Sequence, residues 1–152
     1  MFDIRVDDLS GAPTRDLLRL HLAGMQAHSP ACGVFALDVS GLQAPDVIMW
    51  SVWIGADIAG IGALRMIAPG HGEIKSMRTH PDHLRKGVSA ALLRHIIAVA
   101  RDQGAARLSL ETGSGPAFDP AIALYRAHGF VEGAAFGDYA NSDFNCFYHR
   151  DL

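Results

Sequence analysis

The sequence predicts an α/β chain of the α+β kind, a mixed sheet with helices on both faces. Three observations predict it. Strand-like segments are interleaved with segments whose apolar residues recur at helical spacing. Two strand segments in the first half are joined by a turn so short that they must form an antiparallel hairpin. In the second half, strands are followed by amphipathic helices that run into a glycine.

In chain order, "FDIRVD" alternates as a strand does. Pro13 suits a first helical turn, and Leu17, Leu18, Leu22 and Met25 continue it towards an end near "SPACG". Residues 31–45 admit either a short helix or a loop over a substrate site. "VIMWSVWI" (47–54) is apolar at both parities, as a strand covered on both faces would be, with Trp50 and Trp53 on opposite faces as core or cleft wall. "GAD" turns the chain into "IAGIGALRMI", so 47–67 form the hairpin, and "PGHG" turns it again into "EIKSMRT". There Ile74 and Met77 sit three apart, and one bulged residue would bring both to the same face. From Ser89, the residues Leu92, Leu93, Ile96, Ile97 and Ala100 make one helical stripe that Gly104 can stop. "RLSLET" is the next strand. "DPAIALYRAHG" reads as a complete short helix, with Asp119 at the N-cap, Pro120 in the first turn and Gly129 past the end. "GFVEG" and "FNCFYH" supply closing strands.

The length of 152 residues suits one domain, 1–152, with no repeat or linker. A net charge of -3 excludes a nucleic-acid footprint spread over the surface, so anion binding must be local, and Arg78, Arg85 and Lys86 offer the place. The N-terminus lacks an apolar stretch behind a basic one, and no run approaches the roughly 18–20 apolar residues of a membrane helix. The expectation is a cytoplasmic protein without a membrane partner. Cys32 and Cys146 lack metal-ligand spacing and read as free thiols.

"DHLRKGVSAALLRHI" (82–96) concentrates the chemistry. A strand ends at Thr79, Pro81 blocks its continuation, and residues 84–89 must wrap into a helix N-terminus. Backbone N–H groups there have no intrahelical partner, and the helix dipole adds roughly half a positive charge. A diphosphate needs that arrangement; Arg85 and Lys86 add counter-charge, and Gly87 sits where the main chain must come close to the ligand. A basic turn before a helix is also a common structural connection, so the segment alone does not decide between them.

Its neighbourhood does more. "GEIKSMRTHPDHLRKGVSAALLRHIIAVARDQG", "LSLETG" and "PAIALYRAHGFVE" together resemble the Gcn5-related N-acetyltransferase (GNAT) family over residues 47–131. The family pattern Gln/Arg-x-x-Gly-x-Gly/Ala falls on Leu84-Arg85-Lys86-Gly87-Val88-Ser89, with Leu84 and Ser89 departing from it. A second motif is met by Leu124, Tyr125, Gly129 and Phe130, while Phe118 stands where an asparagine often precedes it.

The resemblance implies an acyl-CoA N-acyltransferase fold of six to seven strands. These are mostly antiparallel, with a splayed parallel pair, here 73–79 and 106–112, whose V-shaped opening takes acetyl-CoA as cosubstrate. It implies that the backbone around Met77, Arg78 and Thr79 holds the pantetheine arm and that one freed amide polarises the thioester carbonyl. The turn of Leu84, Arg85, Lys86, Gly87, Val88, Ser89 and Ala90 would take the diphosphate, and Tyr125 would protonate the leaving thiolate. No metal is implied, and His80 and His83 lack a third ligand nearby.

Direct transfer also needs a base, because an amine with a pKa of about 10.4 costs about 4.6 kcal/mol to deprotonate at neutral pH. Glu73 and Glu111 are the candidates, each alternatively a strand-end carboxylate or a partner for a basic residue such as Lys75. The implied function is acetyl transfer to an amine of a small molecule or peptide, and the acidic overall charge favours a cationic acceptor. A non-catalytic acyl-CoA sensor domain is the alternative, which Tyr125 opposes. A generic nucleotide-phosphate binder is opposed by the meander ahead of the basic turn, since a Rossmann unit places its glycine turn after the first strand. The exposed edge of residues 130–149 offers a surface for a homodimer.

Overall fold

The computed structural model describes residues 1–28 and 37–152. Its elements are β1 (Asp3–Val6), α1 (Ala12–His28), α2 (Val39–Leu42), β2 (Val47–Ile54), β3 (Asp57–Ala68), β4 (His71–Thr79), α3 (Val88–Asp102), β5 (Arg107–Gly113), α4 (Asp119–Ala127), β6 (Val131–Glu132) and β7 (Asn145–Asp151). The seven strands form one sheet in the order β1-β2-β3-β4-β5-β7-β6. Every neighbouring pair is antiparallel except β4 and β5.

The strand β2 is apolar on both sides because the sheet is covered on both sides. On one face α3 and α4 press Leu92, Leu93, Ile96 and Tyr125 against Trp50, Leu64, Ile74, Leu108 and Leu110. On the other, Leu17 and Leu18 of α1 and Leu42 of α2 meet Met49, Ile61 and Ala63. Trp50 belongs to the first core and Trp53 borders the second, so the two rings do lie on opposite faces. Each fully buried aliphatic side chain in these layers is worth roughly 1.5–3 kcal/mol of transfer free energy.

Two turns are set by backbone conformation. Gly104 (φ 83°) follows α3, and Gly129 (φ 85°) follows α4, the region where glycine is favoured. The start of α4 differs from the sequence reading. Its N-cap is Phe118 without a side-chain cap, and Asp119 is the first helical residue. The reason is local: the amides of Phe118 and Asp119 already turn back onto Gly115 and Pro116, so the helix begins one residue early. The carboxylate of Asp119 still sits at the positive end of the helix dipole. The strand read in "GFVEG" shrinks to two residues, and β7 rather than this segment carries the long pairing with β5.

Of residues 31–45, the described part holds the single turn of α2, capped by Asp38, whose carboxylate accepts the Gly41 amide at 2.9 Å. Residues 31–36, with Cys32, lie outside the described residues. Cys146 is a half-buried free thiol.

Candidate active site

The strands β4 and β5 pair only at His71–Arg107, Gly72–Leu108 and Glu73–Ser109, then part. The cause lies in β4. Its Lys75 faces Ala63 and its Arg78 faces Ile61, so three steps on β4 span two on β3. The extra residue is a bulge at Ser76, whose φ is 57°. The bulge lets Ile74 and Met77 share the α3 face, where the missing side chain of Gly62 leaves the space that Met77, Leu92 and Ile96 fill. Beyond Glu73, therefore, main-chain groups of β4 that would have met β5 instead face an opening.

That opening is a cavity of about 150 Å³. Its floor is β4 from Glu73 to Arg78 and β5 from Leu110 to Thr112. The α4 side contributes Phe118 and Tyr125; the other side has His21 and Gly24 of α1, and Tyr139. Tyr125 is only 6% exposed. Burial holds its hydroxyl well above the usual phenol range, so it stays protonated. Its ring packs edge-on against Phe130 at 5.9 Å, which fixes its direction.

On the α1 side, Glu73 and Lys75 are almost fully enclosed, with side chains 5% and 9% exposed. The Tyr139 hydroxyl stands between them. It donates to Glu73 Oε2 at 2.5 Å and accepts from Lys75 Nζ at 2.8 Å, while Nζ lies 3.4 Å from the same carboxylate oxygen. Glu73 is thus paired with a cation and hydrogen-bonded in place. Glu111 is not tied down in this way. Burial pushes its carboxyl up to about 7, against the pull of Lys75, with the Glu73 charge adding to the rise. A carboxyl held there can exchange a proton near neutrality. Burial, and then the Arg78 charge, lowers His21 to about 4, so that ring is neutral.

Tyr139 arrives on the segment 133–144, which a buried polar chain anchors. His149 Nε2 donates to the Ala134 carbonyl at 2.7 Å, so its Nδ1 accepts the Ser109 hydroxyl at 2.7 Å. Ser109 in turn lies 2.6 Å from His71 Nε2. Phe136 packs against His71, His149, Tyr139 and Phe147.

At the far end of β4 the basic turn leads into α3. His80 Nδ1 accepts the Asp82 amide and closes a short 3-10 turn. Arg85 (φ 61°) and Gly87 (φ 83°) are both left-handed. A Cβ at Gly87 would touch nothing within 4 Å, so backbone conformation is what asks for glycine there. The Ala91 amide is the first to bond within the helix, to Gly87 at 3.0 Å, which leaves the amides of Val88, Ser89 and Ala90 without intrahelical partners. The Ser89 hydroxyl bonds Thr79 and ties the strand end to the helix start. Leu84 is an exposed apolar side chain, and Lys86 Nζ lies 3.1 Å from His83 Nδ1.

The family model described as the acetyltransferase (GNAT) family matches residues 15–130. The chain belongs to the GNAT family. It is 48% identical over 139 residues to YedL of Escherichia coli (strain K12), an uncharacterized N-acetyltransferase, covering 91% of this chain and 87% of that protein. It is 44% identical over 149 residues to YsnE of Bacillus subtilis (strain 168), also an uncharacterized N-acetyltransferase, covering 98% and 99%. The crystal structure of a Klebsiella pneumoniae protein named for the acyl-CoA N-acyltransferases superposes with a TM-score of 0.84 at 27% identity, over 100% of this chain and 98% of that one. The seven-stranded, mostly antiparallel sheet with one parallel pair is the GNAT fold, and GNAT membership makes the chain an N-acyltransferase.

In this GNAT chain, Tyr125, Glu73, Glu111, Met77 and Arg78 line one cavity. Thr79 and the residues from Leu84 to Ala90 are not part of that lining and continue past the end of β4. Sequence reasoning missed Tyr139, His21 and Gly24. No motif marks them, and the signal that unites them with β4 is contact across the fold. Among the described residues no helix is long and apolar enough to cross a membrane.

Proposed function

We propose that the chain transfers an acetyl group from acetyl-CoA directly to an amine, without a covalent acyl-enzyme. The observation that carries this reading is one cavity, passing between the parted ends of β4 and β5, with a protonated tyrosine on one side and a carboxylate of pKa near 7 on the other.

In this reading the free amides at the start of α3, with Arg85 and Lys86, take the diphosphate of the cofactor. The pantetheine arm runs along Met77–Thr79, and its acetyl end enters the opening. Glu111 takes the proton from the acceptor ammonium. The freed amine attacks the thioester carbonyl, and the oxygen that becomes negative is stabilised by a main-chain N–H of the bulge, a role worth roughly 3–4 kcal/mol in other enzymes. The tetrahedral centre then expels the CoA thiolate, Tyr125 protonates the sulfur, and the second proton lost by the nitrogen as the amide forms returns to the tyrosinate, leaving Glu111 to release its proton to solvent. Glu73 is held by Tyr139 and Lys75, which supports Glu111 rather than Glu73 as the base. Acetyl-CoA is an intracellular metabolite, which supports a cytoplasmic location.

The test is thiol release from acetyl-CoA against a panel of amines, with the wild type and Tyr125→Phe. The variant should keep its acetyl-CoA affinity and lose about 10²-fold or more in turnover. Full turnover by Tyr125→Phe would remove the tyrosine from the chemistry. Acetyl-CoA binding without turnover of any amine would favour a sensor instead.

A further inference from the structure

One charge in the cleft has no counter-charge among the described residues. Arg78 leaves β4 towards α1 and lines the cavity half-buried. Its Nη2 donates to the Leu20 carbonyl at 3.2 Å, and its Nε is buried without a partner. Among the described residues it forms no ion pair, whereas Lys75, the other cation of the cavity, is taken by Glu73. A guanidinium drawn out of water without a carboxylate is unfavourable unless something else supplies the anion.

The guanidinium packs directly against α1, its tip lying where a side chain at Gly24 would stand. The neighbouring His21 ring is neutral and supplies no negative charge. The cofactor's phosphates are an unsuitable source, because the turn proposed for them lies beyond the end of β4 while Arg78 points towards α1.

We infer that the acceptor is a short amine carrying its own anionic group, a carboxylate or a phosphate, which Arg78 clasps while the amine faces Glu111. Both residues line the same cavity, within which a short acceptor would engage them together. The planar fork of arginine suits either anion. This assignment rests on the acetyl-transfer reading above, and it replaces the cationic acceptor that overall charge favoured. A second cation on the acceptor would be set against Arg78.

The experiment compares matched acceptors that differ in the anion: leucine with isopentylamine, phenylalanine with phenethylamine, and O-phosphoethanolamine with ethanolamine. Thiol release from acetyl-CoA and thermal stabilisation of the CoA-loaded protein are both read, for the wild type, R78K and R78Q. The expected result is that an anionic member is preferred by about tenfold or more in kcat/KM, that R78Q removes this preference through KM, and that R78K keeps part of it. The leucine and phosphoethanolamine arms separate carboxylate from phosphate. Preference for the uncharged members, an undiminished preference in R78Q, or no anionic member being used or stabilising the CoA-loaded protein would each overturn the assignment. Failure of acetyl-CoA itself to stabilise the protein would instead overturn the acetyl-transfer reading.

Discussion

The two ends of the proposed acetyl-CoA site are built from different materials. At the α3 end the groups on offer are main-chain amides of consecutive residues, presented because a helix starts there. At the α1 end they are side chains from α1, β4, β5 and the segment 133–144, brought together only by the finished sheet. The difference teaches which changes each end tolerates. A main-chain site survives replacement of its side chains as long as the turn keeps its shape, and Leu84 and Ser89 are departures of that kind. A side-chain site depends on each residue and its supports.

The largest expected effect falls on the side-chain end. Glu111→Gln should lower kcat by about 10²–10⁴. Glu73→Gln should act chiefly on stability, because it removes the carboxylate paired with the enclosed Lys75, at about 3–5 kcal/mol in chemical denaturation. Steady-state rates beside denaturation curves would check this. A Glu73→Gln protein that is fully stable but inactive would reverse the assignment of the base.

A second effect separates the two ends by pH. The acid limb of kcat/KM should bend at about pH 7, with activity lost below it as Glu111 takes a proton. The stability sign is opposite. The unfolded chain ionises this group near 4.5 and the folded one near 7, so the wild type binds more protons folded and loses stability as pH rises between those values. Glu111→Gln should therefore melt above the wild type beyond pH 7, with the gap closing towards pH 4.5. Melting curves from pH 4 to 8 would show it, and a gap independent of pH would break the assignment of the titration to Glu111.

The smallest effects belong to the main-chain end. Gly87→Ala meets no clash but strains φ 83° by about 1–2 kcal/mol, so the free turn should relax from that conformation and acetyl-CoA affinity should fall about tenfold. Arg85→Ala and Lys86→Ala, both exposed, should change affinity only about two- to fivefold, and less at high salt. Calorimetry at two salt concentrations would check the order. A larger loss from either charge than from Gly87→Ala would mean that side chains, not amides, dominate there.

The same contrast explains what was legible in the sequence. Helix α3 and its turn are read from local signals: Pro81, Gly87 and the stripe from Leu92 to Ala100. The bulge also has a sequence signal, since Ile74 and Met77 sit three apart and an extra residue brings both to one face; its position at Ser76 comes from the structure. Tyr139 was invisible. It lies 66 positions from Glu73, on a segment with no regular element, and its placement depends on the His71–Ser109–His149 chain across three strands. The Arg78–Gly24 contact joins β4 to α1 in the same non-local way. The sequence points to Asp119 as the cap of α4, one residue late, because the preceding turn, not the carboxylate, starts that helix.

Backbone amide NMR with added CoA tests the central claim most directly. The account predicts that the largest proton shifts fall on Gly87, Val88, Ser89 and Ala90, with a second group at Met77–Thr79. Shifts confined to the α1 side of the cavity, with the start of α3 unmoved, would contradict it.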